Sequence, residues 1–253
     1  MTNKLKYFVG NWKMFGDFNS IKIINQINHF CSSFKKKGAK TKVIICVPHI
    51  LIYTFVNKLK NKLVSIGAQN CHHHNGQGPF TGSISSSMIR NSGARYIILG
   101  HSESRSNGDT NKLIKKKIEA SLNEKINVIF CIGETLHEKR KGKTFSILRK
   151  QIRDSISKKF NLNKIIIAYE PIWSIGTGKV PKTYELIKIF EFIKSEYKRN
   201  FKIKKFPIVL YGGSVNSNNI RQFATIPAID GFLIGGASQS SKKFIDIIKN
   251  YYR

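Results

Sequence analysis

The chain has 253 residues, 41% hydrophobic and 11% aromatic, enough to bury a sizeable core in one large unit or two small ones. No apolar run approaches the ~20 residues that would span a bilayer, which argues against a membrane protein. Lys and Arg number 44 against 14 Asp and Glu, a net charge of +30 at pH 7, and three readings compete: nucleic-acid binding, steering of an anionic substrate, and compositional drift in a chain crowded with Lys, Asn and Ile.

The first strand is expected at Tyr7-Phe8-Val9, leading to Gly10-Asn11-Trp12-Lys13. A helix follows with Ile21, Ile24, Ile27, Cys31 and Phe34 on one face, closed by Lys35-Lys36-Lys37-Gly38, cations on the last turn and glycine beyond. Strand two is Val43 to Val47, stopped at Pro48, and a short amphipathic segment runs from Leu51 to Leu59. Strand three, Val64 to Ala68, ends at Gln69-Asn70, and a polar, glycine-rich loop extends from Cys71 to Gly82. Strand four, Tyr96 to Gly100, ends at His101, and its helix carries Leu113, Lys117, Ile118 and Leu122. Strand five is Val128 to Ile132, followed by Gly133-Glu134 and a basic helix around Ile147, Leu148 and Ile152. Strand six, Ile165 to Tyr169, ends at Glu170. Pro181 is expected to open the next helix from a position proline tolerates, with Leu186, Ile189, Phe190, Ile193 and Tyr197 on its buried face. Strand seven is Ile208 to Tyr211, before Gly212-Gly213-Ser214. Strand eight is Gly231 to Ile234, before Gly235-Gly236, and the last helix presents Phe244, Ile247, Ile248 and Tyr251.

Strand-then-helix units recurring at roughly 30 residues are βαβ repeats. Eight of them in a chain of about 250 residues predict an α/β protein built as a closed (β/α)8 barrel, one catalytic domain over residues 1–253. An open, doubly wound sheet usually has fewer units and comes second. The four cysteines, Cys31, Cys46, Cys71 and Cys131, include no C-x-x-C pair, so neither a disulfide framework nor a zinc site is suggested and a reducing, cytoplasmic compartment is expected. Met1 to Lys6 runs into strand one without a signal-peptide pattern.

In such a barrel, function sits on the loops at the C-terminal strand ends. The stretch from Ala168 to Lys179 stands out there: a strand ends at one carboxylate, Pro171 fixes the backbone, and an apolar segment around Trp173 leads to Gly176-Thr177-Gly178. It reads as a catalytic base beneath a closing lid, or more plainly as a strand-to-helix connection with one solvated Glu. Asn11, Lys13, His101, Ser214 and Gly235-Gly236 occupy other strand ends. Singly, Lys13 could be a solvated cation, His101 a histidine satisfied at a helix start, and Ser214 a helix cap. Jointly, a base, a neutral donor, a fixed cation and glycine turns that cradle an anion suit proton abstraction beside a carbonyl on a small phosphorylated sugar. No cofactor and no metal are called for. His72-His73-His74 lies in the loop without a carboxylate or cysteine at ligand spacing, so a metal site there is disfavoured. The scattered lysines (Lys35 to Lys37, Lys115 to Lys117, Lys158-Lys159, Lys204-Lys205, Lys242-Lys243) favour drift over a nucleic-acid partner.

The chain resembles the triosephosphate isomerase family over essentially its whole length. The resemblance is carried in order by Gly10-Asn11-Trp12-Lys13-Met14, Gly67-Ala68-Gln69-Asn70 and Leu99-Gly100-His101-Ser102-Glu103. It continues through Cys131-Ile132-Gly133-Glu134-Thr135-Leu136, Ala168 to Lys179, Tyr211-Gly212-Gly213-Ser214-Val215-Asn216, and Asp230-Gly231 to Gly235-Gly236-Ala237-Ser238. It implies a cytoplasmic isomerase of glycolysis and gluconeogenesis that interconverts dihydroxyacetone phosphate and D-glyceraldehyde 3-phosphate through an enediol(ate). Glu170 would move the proton between carbons. His101, kept neutral by a helix N-terminus, would polarise the carbonyl. Lys13, held by Glu103, would offset negative charge, and Asn11 would donate to a substrate oxygen. Backbone N–H groups of Gly176, Ser214, Gly235 and Gly236 would hold the phosphate, and Tyr211 would latch a lid from Pro171 to Lys179. The resemblance also implies a homodimer through the loop Cys71 to Gly82, with Thr81 near the partner's Asn11. The family usually has Glu where Ser83 stands and Arg where Ser104 stands, so an interface ion pair would be missing. The segment Ser106 to Asp109 also looks a residue short.

Overall fold

Parallel strands covered on both faces need nearly unbroken apolar runs, and those runs build the centre of the molecule. The computed structural model describes residues 5–34 and 40–253. Its strands are β1 (Leu5–Asn11), β2 (Lys40–Cys46), β3 (Val64–Ala68), β4 (Tyr96–Leu99), β5 (Asn127–Ile132), β6 (Ile165–Tyr169), β7 (Ile208–Tyr211) and β8 (Gly231–Ile234). Each pairs in parallel with its neighbour in sequence, and β1 closes the barrel on β8, with Val9 opposite Ile44 on one side and Leu233 on the other. The closed eight-stranded barrel is the expected architecture. Strands β1 and β2 begin earlier than their apolar runs, because ladder pairing of Leu5 with Lys40 and Lys6 with Thr41 uses only main-chain groups.

The alternation of a strand divides the core in two. One set of side chains, among them Val9, Ile44, Ile98, Ile129, Ala168 and Leu210, fills the barrel interior. The other, including Phe8, Ile45, Ile97, Phe130, Ile167 and Val209, packs outward against the helices.

The helices are α1 (Ile21–Ser33), α2 (His49–Lys58), α3 (Ser86–Asn91), α4 (Ser102–Ser106), α5 (Asn111–Asn123), α6 (Leu136–Arg140), α7 (Thr144–Ser155), α8 (Thr183–Phe201), α9 (Ile220–Ala224) and α10 (Ser241–Tyr251). Helices α3, α4, α6 and α9 span only 5 or 6 residues, too short to show a 3.6-residue period, and the periodicity gave no sign of them. Helix α5 carries Leu113, Lys117, Ile118 and Leu122, with Lys117 and Ile118 in a buried stripe that also includes Ile114 and Ser121. One expectation is corrected: helix α8 begins at Thr183 behind Lys182, which leaves Pro181 outside it. The proposed stop at Lys35 to Gly38 lies outside the described residues.

Candidate active site

The interior parity of the strands continues past their C-terminal ends, and this is what assembles the site. Two residues beyond inward Val9, Ala168, Leu210 and Leu233 come Asn11, Glu170, Gly212 and Gly235, all at the barrel mouth. Pairing of Ala168 with Cys131 and with Leu210 sets Gly133 and Gly212 on either side of Glu170. A Cβ on Gly212 would lie 2.6 Å from Glu170 Cγ, and one on Gly133 only 1.8 Å from the Glu170 carbonyl oxygen. Gly212 therefore clears the space for the Glu170 side chain, and Gly133 the space for its backbone carbonyl. Glu170 is buried, its Oε1 lies 3.3 Å from His101 Nε2, and its buried Oε2 has no hydrogen-bond partner among the described residues.

His101 follows β4 and caps α4, with Nδ1 accepting the backbone N–H of Glu103 at 3.2 Å. An acceptor at Nδ1 places the ring proton of a neutral imidazole on Nε2, facing Glu170. Burial lowers the His101 pKa, but the adjacent Glu170 carboxylate, its hydrogen bond, and Glu103 outweigh burial and Lys13, so the net shift is upward. The upward pull comes chiefly from Glu170, with Glu103 adding to it, while burial and Lys13 favour the neutral ring.

Lys13 adopts a left-handed backbone, φ 56°, a conformation that costs a non-glycine residue about 1–3 kcal/mol. Its N–H donates to Asn11 Oδ1 at 3.1 Å and its ammonium lies 2.7 Å from Glu103 Oε1. Strain, side-chain contact and ion pair together turn the lysine over the mouth.

One cavity of about 220 Å³ is lined by Asn11, Lys13, His101, Glu170, Gly176, Ser214, Gly235 and Gly236, the residues to which the resemblance gives catalytic or substrate-binding roles; Glu103 and Tyr211 are not among its lining residues. The glycine turn after β8 opens only a 3₁₀ turn, Gly236–Gln239, before α10, so any anion there would meet local N–H groups more than the dipole of a long helix.

The lid-like stretch is organised differently from its apolar reading. Trp173 lies at its base, where the indole Nε1 donates to Glu134 Oε1 at 3.0 Å and the Lys139 ammonium sits 4.1 Å from the ring centroid. The exposed tip is Gly176 to Lys179. Glu134 is fully buried and also accepts from the Tyr169 hydroxyl at 3.1 Å. Burial raises its pKa, and the Trp173 and Tyr169 bonds partly offset that. Glu134 was legible only as part of a matching segment, with no role attached. Gln151, also unforeseen, brackets Gly133 with two bonds, at 2.9 Å to its N–H and 3.0 Å to its carbonyl. Arg105 is drawn inward, donating to the carbonyls of Gly100 at 2.8 Å and Cys131 at 3.2 Å. In the neighbouring loop, His72 packs against Phe80 with ring centroids 4.3 Å apart and the rings tilted by 38°.

A closed parallel barrel that carries its titratable side chains at the C-terminal strand ends has the layout of the barrel enzymes, and comparison with known proteins narrows that class. The family model described as triosephosphate isomerase matches residues 6–251. The triosephosphate isomerase of Chloroherpeton thalassium is 34% identical over 252 residues, covering 97% of this chain and 98% of that protein. That of Yarrowia lipolytica is 37% identical over 248 residues, covering 96% and 98%. The crystal structure of triosephosphate isomerase from Bartonella henselae superposes with a TM-score of 0.87 at 30% identity, covering 98% of this chain and 99% of its own. The chain belongs to the triosephosphate isomerase family, a family of isomerases.

Proposed function

We propose that the chain interconverts dihydroxyacetone phosphate and D-glyceraldehyde 3-phosphate as an isomerase of glycolysis and gluconeogenesis, with residues 1–253 acting as one catalytic domain. The observation that carries this reading is the pairing of Glu170 and His101 at 3.3 Å, with the unpartnered Glu170 Oε2 in a cavity edged by glycine loops. Glu170 removes the proton from the carbon beside the carbonyl and returns it to the neighbouring carbon, so the two substrates share one enediol(ate). His101 gives its Nε2 proton to the carbonyl oxygen as charge develops there and recovers a proton from the adjacent hydroxyl. Lys13 offsets the negative charge of phosphate and enediolate, and Asn11 donates to a substrate oxygen. Backbone N–H groups of Gly176, Ser214, Gly235 and Gly236 hold the phosphate. Closure of residues 171–179, latched by Tyr211, excludes water while the intermediate exists.

The chain works in the cytoplasm in this reading; no helix among the described residues is long and apolar enough to cross a membrane. It pairs with a second copy through the loop from Cys71 to Gly82. The exposure of that loop, including Phe80 at 38%, supports this. The net charge of +30 is compositional and nucleic acid is not a partner, as the scatter of the lysines suggests. The test is turnover of D-glyceraldehyde 3-phosphate by the purified protein. Rapid conversion to dihydroxyacetone phosphate is expected, and well-folded protein without turnover would overturn the assignment.

A further inference from the structure

One side chain in the lid has no part in the chemistry above. Ser174 ends the 3₁₀ turn Ile172–Ser174 and is fully buried. A hydroxyl has one proton to give and two lone pairs to fill, and at Ser174 all three are engaged. Oγ donates to the carbonyl of Lys179 at the far end of the lid, lies 3.2 Å from the Tyr211 hydroxyl, and accepts the backbone N–H of Ser214 at 3.2 Å. With its own proton committed to Lys179, Ser174 receives the proton of Tyr211. The site is built to hold this cluster: a Cβ at Gly213 would fall 2.2 Å from Tyr211 Oη and 2.6 Å from Ser174 Oγ.

The Ser214 N–H is also one of the donors given above to the substrate phosphate, and the inference rests on that reading. An N–H makes one strong hydrogen bond, so serine and phosphate compete for it. We propose that Ser174 is a positioning residue whose Oγ stands in for a phosphate oxygen at the Ser214 N–H, so that phosphate binds only by displacing it. The same displacement frees a hydroxyl that ties the lid's two ends and Tyr211 together, which couples phosphate entry to release of the lid.

The sign of the effect separates this role from a structural one. In Ser174→Ala the competitor is gone and only water remains to satisfy Ser214 in the free protein. Phosphate-bearing ligands should then bind about three- to tenfold more tightly, the range set by one net hydrogen bond. KM and the dissociation constant for phosphate should fall together by that factor, since the Ser214 contact is gained alike in ground state and transition state. A merely structural serine would, on removal, raise KM or lower kcat. Ser174→Thr keeps the hydroxyl and should behave as wild type.

The experiment combines these kinetics with a titration of wild-type protein by inorganic phosphate, followed through amide resonances. Ser214 and Ser174 amides shifting on one binding curve, with tighter phosphate binding in Ser174→Ala, is the expected result. A Ser214 shift without any at Ser174, or weaker or unchanged binding in the alanine variant, would overturn the exchange while leaving Ser214 as a phosphate donor. Phosphate binding without any shift at Ser214 would overturn both.

Discussion

Glu170 and His101 are held largely through glycines and main-chain groups. Gly212 and Gly133, set beside Glu170 by strand register, leave room for its side chain and its backbone carbonyl, and the Glu103 N–H fixes which nitrogen of His101 faces it. The sequence makes Glu170 visible because an apolar run ends on an acid, and His101 because it follows another strand. It does not make Gly133 and Gly212 visible as spacers, since their meaning depends on pairings between segments far apart in the chain. The upward shift of His101 comes mainly from Glu170, so Glu170→Gln should remove it. An NMR titration should show the His101 ring gaining its proton at lower pH in the variant than in wild type, because a negative charge that favoured imidazolium is gone. An unchanged titration would contradict the pairing of these two groups.

The stretch proposed as a lid was misread in one respect. Its glycines and proline read as a closing connection, and Trp173 as its apolar tip. In the folded chain the indole is instead an anchor, bonded to buried Glu134 and capped by Lys139. A partner more than thirty residues away in sequence converts an apolar residue into a polar contact, and no local pattern announces it. Helices α3 and α6 were hidden for a related reason: they are set by the caps Ser85 and Thr135, not by a repeating face. Removing the anchor should be costly, because Glu134→Ala leaves the Tyr169 hydroxyl and the indole N–H without their acceptor. Urea unfolding should show a loss of about 1–3 kcal/mol per stranded donor, whereas Glu134→Gln, which keeps an acceptor oxygen, should recover much of it. Equal stability of the alanine variant and wild type would rule out this anchoring.

For the molecule as a whole, eight repeats of strand and helix made the barrel readable, because closure needs only the count and the spacing. The surface was less readable. Five of the 14 carboxylate residues, Asp109, Glu134, Glu170, Glu196 and Asp230, are buried, while among the described lysines and arginines only Lys6 and Lys117 are, so the exterior is even more one-sided than the composition. Two copies of such a surface repel each other, and with Ser83 and Ser104 at the positions where the family usually places an ion pair, the proposed dimer lacks one source of attraction. Sedimentation should find it dissociating on dilution and tightening with added salt; a dimer that persists at nanomolar concentration would contradict this. The central claim is that Glu170 carries a proton between two substrate carbons, and isotope transfer tests it most directly. Conversion of D-glyceraldehyde 3-phosphate in deuterium oxide should give dihydroxyacetone phosphate whose new C–H bond holds either the substrate's own hydrogen, returned by Glu170, or solvent deuterium taken up by exchange at that carboxyl, with both turnover and labelling lost in Glu170→Gln. Turnover or labelling that survives in the variant would contradict the account.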